Sequence, residues 1–448
     1  MHAKQAKIRA LIFISTILFV VIGSFLTIRY AQGYRPTRQG TIKGTGLLNA
    51  NSFPTGAEVY INGKLTTATD TTLNLDPGEY QIELKKDGYH PWSKTLILEP
   101  ELVVQTNAQL FPTSPTLAPL TYTGAISPIP APDGNQVVFA VASASASTKN
   151  GLYVQDLSSG TLSLGKSSRQ IALTTPEYDY TKAQYTYSPN GSEVLVAFNN
   201  GNHLLLQTNT FNDLKTLKDV TVRIPTILKE WEEELARKSR TELLKLPDFM
   251  TQVATESATN IYFSPDGEKM LYQATRDLYI KESLIPPIPA KNTQKETRNL
   301  QAGNYYVYDL KEDTNYLVYE SKVATKSAVT KLMLIDNLKP ITAELGSSPS
   351  AFRRLQSNPT HPNTTLFNAQ YSPTTHLPIQ WFPDSAHLVI TTANSIDIMA
   401  YDTTNRVTLY AGPFDQSFVY PWPDGSRLIT RIQFSPETTP NLYTIKLK

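Results

Sequence analysis

Five stretches of this chain align without a gap: APDGNQVVF, SPNGSEVLV, SPDGEKMLY, FPDSAHLVI and WPDGSRLIT, starting at Ala131, Ser188, Ser264, Phe382 and Trp422. Each sets Pro, then Asp or Asn, then Gly (Ser385 in one copy), two residues ahead of mainly apolar positions. Proline presets φ at the first turn position and glycine relaxes the later one, so the unit reads as a turn feeding a buried strand. An aromatic residue often comes just before, as at Tyr187, Phe263 and Trp381. Strand pairs follow in GLYVQDLSSGTLSL, NYYVYDLKEDTNYLVY and SIDIMAYDTTNRVTLY, with Asp156, Asp309 and Asp402 at the turns between them. A unit repeated this way buries its faces against copies of itself, which limits the fold to stacked or radial arrays.

The turn-strand-turn-strand grammar is that of a propeller blade. It resembles the TolB-type and WD-like β-propellers, whose blades carry a W/F-S-P-D-G signature, over the region from about residue 120 to the end. The prolines Pro132, Pro189, Pro265, Pro383 and Pro423 stand 57, 76, 118 and 40 residues apart, so the longest gap has room for one or two degenerate blades. Five to seven blades are expected, with six the preferred number. Ring closure is expected between Leu117–Tyr122 and a C-terminal strand.

Two insertions widen the spacing. Residues 225–246, PTILKEWEEELARKSRTELLKL, read as a helix that Pro225 starts and Pro247 stops, with Glu233–Arg237 and Glu234–Lys238 spaced as i,i+4 pairs. Its apolar stripe of Ile227, Leu228, Trp231, Leu235, Leu243 and Leu246 either docks on the propeller or meets a partner, with Trp231 and Leu235 as the contact candidates. Residues 285–303, polar and proline-rich, are expected to form a mobile loop.

Near the other end, Ala10–Ile28 carries no charge, and at about 1.5 Å per residue such a helix nearly crosses a hydrocarbon core of roughly 30 Å. A core helix would show a polar face, and a cleaved signal peptide a shorter centre with a small-x-small site; here Arg29 and Tyr30 follow at once. An uncleaved anchor is expected over residues 10–28. Lys4, Lys7 and Arg9 precede it, while Arg29, Arg35, Arg38 and Lys43 follow, so counting charges does not fix the orientation. The tight basic cluster with the α-amine favours a cytoplasmic tail at 1–9 and an extracytoplasmic bulk.

After a juxtamembrane linker at 29–44, GAEVYINGKL alternates Ala57, Val59 and Ile61 and then meets Asn62-Gly63, the dipeptide of a type I′ hairpin turn. Pro77-Gly78 and Asp87-Gly88 punctuate further alternating strands, so residues 45–112 read as a small antiparallel β-sandwich of five strands. The order of motifs resembles the PEGA domain: Pro54-Thr55-Gly56-Ala57, departing at the second position, then Val59 to Gly63, Pro77-Gly78 with Tyr80, and Gly88-Tyr89. That resemblance implies a non-catalytic extracytoplasmic module of envelope or surface-layer proteins. Closure of the small core is the preferred reading of Tyr89 and Trp92; with His90 they are also candidates for a sugar-stacking patch. YAQGYRP and GYHPWSKTLILEP also resemble envelope proteins of candidate-phylum bacteria with small genomes. The segment 113–120 reads as a proline-rich linker, leaving 121–448 to the propeller.

Composition narrows the function. Charged residues are 18% of the 448, hydrophobic ones 40%, and Tyr (24) and Pro (31) are plentiful, a mix suited to β structure. A net charge of +2 provides no field for nucleic acid, and zero Cys removes disulfides, thiolate metal sites and thiol catalysis. No Gly-x-Ser-x-Gly elbow occurs, the six His are scattered without zinc spacing, and no cofactor motif is found. Asp133, Asp266, Asp384 and Asp424 invite a reading as channel acids, but carboxylates in Pro-Asp-Gly turns more commonly cap backbone N–H groups. The expectation is therefore a mainly β, membrane-anchored, non-catalytic scaffold or binding module without cofactors. Its expected partners are the bilayer through residues 10–28 and an envelope protein or cell-wall glycan. The alternative is a propeller enzyme acting on glycans through acids in its funnel.

Overall fold

A computed structural model of the chain describes residues 2–31, 34–36, 42–157, 168–289, 291–321 and 377–448. The chain divides into two units, 1–110 with 288–294, and 111–287 with 295–448.

The first unit begins with helix α1 (His2–Ala31). A short antiparallel ribbon of Tyr34–Pro36 and Ile42–Gly44 occupies part of the expected linker. The module that follows has a four-stranded antiparallel sheet, ordered Lys64–Ala68, Glu58–Ile61, Gly78–Lys85 and Trp92–Leu98. Asn62 and Gly63 have φ of 50° and 77°, the paired positive values a type I′ turn requires. The rest of the module is not wholly antiparallel: in a three-stranded sheet Val103–Gln105 runs parallel to Gly46–Ala50, and in a separate two-stranded one Ala108–Gln109 runs parallel to Ser52–Phe53. Parallel neighbours need a long crossover, and here the whole four-stranded sheet lies between them in sequence. Alternate residues Val59, Ile61, Ile82, Leu84, Trp92 and Leu98 face Leu48, Ala50 and Leu110 in one core.

The expected mobile loop at 285–303 is instead held by specific bonds. Within the first unit, Thr293 Oγ1 and Gln294 Nε2 both donate to the Thr95 carbonyl, at 2.8 and 3.0 Å, on the outer strand of the four-stranded sheet. Further on, Asn299–Leu300 pairs with Leu278–Tyr279. The buried Arg298 guanidinium meets Glu296 at 3.0 Å and Asp313 at 3.4 Å. Polar composition pointed to mobility because it does not reveal which polar groups have partners.

The second unit is a ring of sheets. Among the described residues, five sheets recur. Blade 1 comprises Ile126–Pro130, Gln136–Val141, Gly151–Asp156 and Arg169–Leu173. Blade 2 comprises Gln184–Tyr187, Glu193–Ala197 and His203–Gln207. Blade 3 is built from Ala258–Phe263, Lys269–Ala274, Tyr305–Asp309 and Thr314–Tyr319. Blade 4 holds Ile379–Trp381, His387–Thr391, Ser395–Ala400 and Val407–Ala411. Blade 5 holds Val419–Pro421, Arg427–Ile432 and Asn441–Lys446, with Leu117–Pro119 added outside the last strand, where Ala118 pairs Thr444. This closes the ring at the expected place. Residues 117–119 are thus a strand of the propeller rather than linker.

Strand alternation explains why the ring holds. In blade 3, Met270, Tyr272, Tyr306 and Tyr308 face one neighbour, while Leu271, Tyr305, Val307 and Tyr316 face the other. A period of two thus feeds two cores from each strand, and both faces are buried. Blade 3 meets blade 4 through Leu271, Tyr316, Trp381 and Leu388, which leaves no place for a further sheet between them. The stretch 322–376, where the spacing left room for degenerate blades, lies outside the described residues.

Among the described residues five blades close the ring, at the lower end of the expected range, with helices standing in one position. Helix α2 (Ile224–Leu243) packs Ile227, Leu228, Trp231 and Leu235 on Leu195 of blade 2. Its C-terminal end and α3 (Asp248–Glu256) pack Leu243, Leu246, Met250 and Val253 on Ile261, Met270 and Tyr272 of blade 3. Pro247, read as a stop, is also the N-cap of this second helix. Lys238 lies 3.3 Å from Glu234 as expected, but Glu233 lies 4.0 Å from Lys229.

Candidate functional site

The five repeated turns share one backbone geometry. Gly134, Gly191, Gly267 and Gly425 have φ from 65° to 76°, and Ser385 has 59°. The preceding Asp or Asn oxygen accepts the backbone N–H two residues on: Asn135 to Asp133 at 3.1 Å, Ser192 to Asn190 at 3.0 Å, Glu268 to Asp266 at 3.0 Å, Ala386 to Asp384 at 2.9 Å and Ser426 to Asp424 at 2.8 Å. These are Asx turns, and each carboxylate is already employed in holding its own loop.

Neighbouring turns touch in ring order. A Cβ on Gly191 would stand 3.2 Å from Asp133 Oδ1, and one on Gly425 would stand 3.2 Å from the Phe382 ring. Asp266 N–H donates to Ser385 Oγ at 3.0 Å. Between blades 2 and 3 the helices take over, with Lys238 Nζ donating to the Pro189 carbonyl at 3.3 Å. A Cβ on Gly267 would stand 2.7 Å from Lys245 Nζ and one on Gly134 2.9 Å from Tyr420 Oη of blade 5, so the turns and helix end line one rim, the candidate binding face.

Its electrostatics follow from burial opposed by hydrogen bonding. Burial would raise the Asp384 carboxyl, but His387, whose Nδ1 lies 2.7 Å from Oδ2, and the N–H groups of Ala386 and His387 hold it below the usual range. Burial likewise opposes ionisation of Asp266, and Ser264, the Glu268 N–H and two lysines, Lys269 and Lys311, reverse it. Tyr187, fully buried behind the first two turns, is pushed well up by burial, with Asp133 and Asp156 adding to it. Among the described residues, no three His, Asp or Glu side chains gather as a metal site would require.

The sequence candidates fall elsewhere. Trp92 is 4% exposed and packs with Ile82 and Leu84, while Tyr89 is half-buried against the same core. Core closure thus accounts for the Trp92 ring and for the buried side of Tyr89. His90 is half-buried, with its Nε2 enclosed. Trp231 and Leu235 are 7% and 3% exposed against blade 2, so the α2 stripe is used within the chain. What sequence reading missed is the contact between successive turns; the one available signal was the serine standing where four copies have glycine.

The comparisons with known proteins bear on both units. Among solved structures, the chain is similar to TolB from Acinetobacter baumannii, at 11% identity over 88% of this chain and 64% of that one, with a TM-score of 0.22. The chain thus spans just under two thirds of that protein. It is similar also to a TolB-type protein of Agrobacterium tumefaciens, at 9% identity over 90% and 99% of the two chains, with a TM-score of 0.18. An oligogalacturonate lyase in complex with manganese aligns at 11% identity over 85% and 81%, with a TM-score of 0.20. No curated protein sequence matches the chain. The model of the PEGA domain matches residues 45–114, and over that stretch the chain carries a PEGA domain.

Proposed function

We propose that this chain is a non-catalytic, membrane-anchored cell-envelope protein whose propeller is a scaffold or binding module for an extracytoplasmic protein or glycan. The observation that carries the anchor is the surface of α1. From Ile12 to Ile28 its large apolar side chains face outward, Phe19 being 79% exposed, and none of the span Ile12–Tyr30 is buried. A helix of this length without a protein core to cover it matches a bilayer in both length and chemistry. The PEGA domain directly after it supports an envelope setting, because such domains are extracytoplasmic.

The binding role rests on the rim. The alternative, a glycan-active enzyme, needs carboxylates free to hold or move protons, and glycosidases commonly place two of them about 5–10 Å apart. Asp133, Asp266, Asp384 and Asp424 each accept backbone N–H groups of their own turns, a role that favours shape over reaction.

Crosslinking the intact protein in its own cells, followed by purification, tests this reading. Recovery of a defined envelope protein or wall polymer that is lost on charge reversal at the rim supports it. Hydrolysis or lyase cleavage of a wall glycan by the purified chain, abolished by Asp→Asn at a single rim position, contradicts it.

A further inference from the structure

We propose that the turn Glu99–Val103 of the PEGA domain is a membrane-contact surface, seated at the bilayer interface by a clamp of Arg29, Tyr34 and Glu101. This rests on the reading of α1 as a span, but not on which side of the membrane the domain lies.

The argument starts at the end of the helix. Arg29 follows Ile28, the last residue of the uncharged run, by one position, or about 1.5 Å along the axis. Its guanidinium lies 4.6 Å over the Tyr34 ring and 5.5 Å over that of Phe25. Its Nη1 stands 3.4 Å from Glu101 Oε1, and Tyr34 Oη donates to the same oxygen. One carboxylate thus gathers a cation from the helix and a phenol from the ribbon that follows it. The bond to Glu101 also raises the Tyr34 pKa above its ordinary value.

The turn that presents Glu101 is itself fixed. Glu101 sits at a φ of 66°, and its N–H donates to the Thr45 carbonyl at 3.2 Å. Leu47 N–H donates to the Leu102 carbonyl at 2.9 Å, tying the turn to the first strand of the module. Because Arg29 belongs at the boundary of the hydrocarbon, a side chain within 3.4 Å of it stands at headgroup depth. Val103, 50% exposed beside Glu101, then presents an apolar side chain to the interface. Tyr30, 61% exposed on the helix, occupies the level where interfacial aromatics concentrate. Arg29 balances the charge of Glu101 where the turn meets the helix end.

The chain has no cysteine, so single nitroxide labels can be placed without other changes. The full chain is assembled in nanodiscs of zwitterionic phospholipid, labelled at Val20→Cys, Thr66→Cys or Val103→Cys. Collision of each label with oxygen and with a water-soluble nickel chelate reports its depth. Position 20 is expected in hydrocarbon, position 66 in water, and position 103 between them, with nickel access well below that at 66. In the Glu101→Ala background the label at 103 should become as accessible as that at 66, while position 20 stays in lipid. A label at 103 as wet as 66, with 20 in hydrocarbon, overturns the contact and leaves the anchor standing. A label at 103 unmoved by Glu101→Ala overturns the clamp. A wet label at 20 overturns the anchor and the contact together.

Discussion

The backbone N–H of Asp266 donates to the side-chain oxygen of Ser385 at 3.0 Å, joining the turn of blade 3 to that of blade 4. Ser385 holds a left-handed φ of 59° at a place where the other four copies have glycine. A non-glycine residue there is strained by about 1–2 kcal/mol, and the bond to the next blade offsets that strain. Ser385→Ala keeps the strain and removes the acceptor, so it should destabilise the propeller by about 1–2 kcal/mol. Ser385→Gly removes both and should lie much closer to the parent. Denaturant unfolding of the chain lacking residues 1–31 measures the difference; equal losses in the two variants would refute the compensation.

Gly151 is required for a different reason. A Cβ built on it would stand 2.0 Å from the Ala172 carbonyl oxygen, which is backbone and cannot rotate away. Gly151→Ala should destabilise blade 1 by about 3 kcal/mol, the upper end for overpacking. Gly201, where a Cβ meets nothing within 4 Å, should lose only the strain of its φ of 88°, about 1–2 kcal/mol. Melting temperatures of the two variants give the comparison.

Arg298 and Asp313 are both buried, and the Asp313 carboxylate also accepts from Tyr308 Oη at 3.0 Å and from the Leu284 N–H at 2.9 Å. Removing only the cation strands a buried carboxylate. Arg298→Met should therefore cost about 3–5 kcal/mol, and adding Asp313→Asn should recover part of the loss. Thermal unfolding of the two variants and the parent tests the coupling.

Acid should weaken the rim. Asp266 and Asp384 of the rim are both held below the ordinary carboxylate range in the folded chain, as is Asp415 in the loop ahead of blade 5. Their contribution is complete above the unfolded value of about 4 and disappears as pH falls through the lower folded values. Stability should thus be level from pH 7 to about 5 and decline below 4, more gently in Asp384→Asn. Urea midpoints across that range measure both slopes.

Much of this architecture was legible in the sequence because its signals are local. The five turns state their φ and their caps in three residues each, Asn62-Gly63 states its hairpin, and the uncharged run ahead of Arg29 states its length. Less legible was anything decided by what lies across a contact. The α2 stripe was plain, but whether it covers blade 2 or a partner depends on Leu195, thirty-odd residues away in sequence. Trp92 was open to either a stacking role or a place in the core because aromatic composition says nothing of burial, and it packs beside Leu84 in that core. The loop at 285–303 read as mobile because Arg298 does not announce its pairing with Asp313. Spacing alone also could not show that blade 3 packs directly against blade 4.

The central claim, a single apolar helix holding an extracytoplasmic PEGA domain and propeller to the membrane, is tested most directly by protease treatment of intact cells. The account predicts that protease added outside digests the chain beyond Ala31 and leaves a short membrane-bound fragment containing α1. A C-terminal portion that stays intact on whole cells and is digested only after lysis would contradict it.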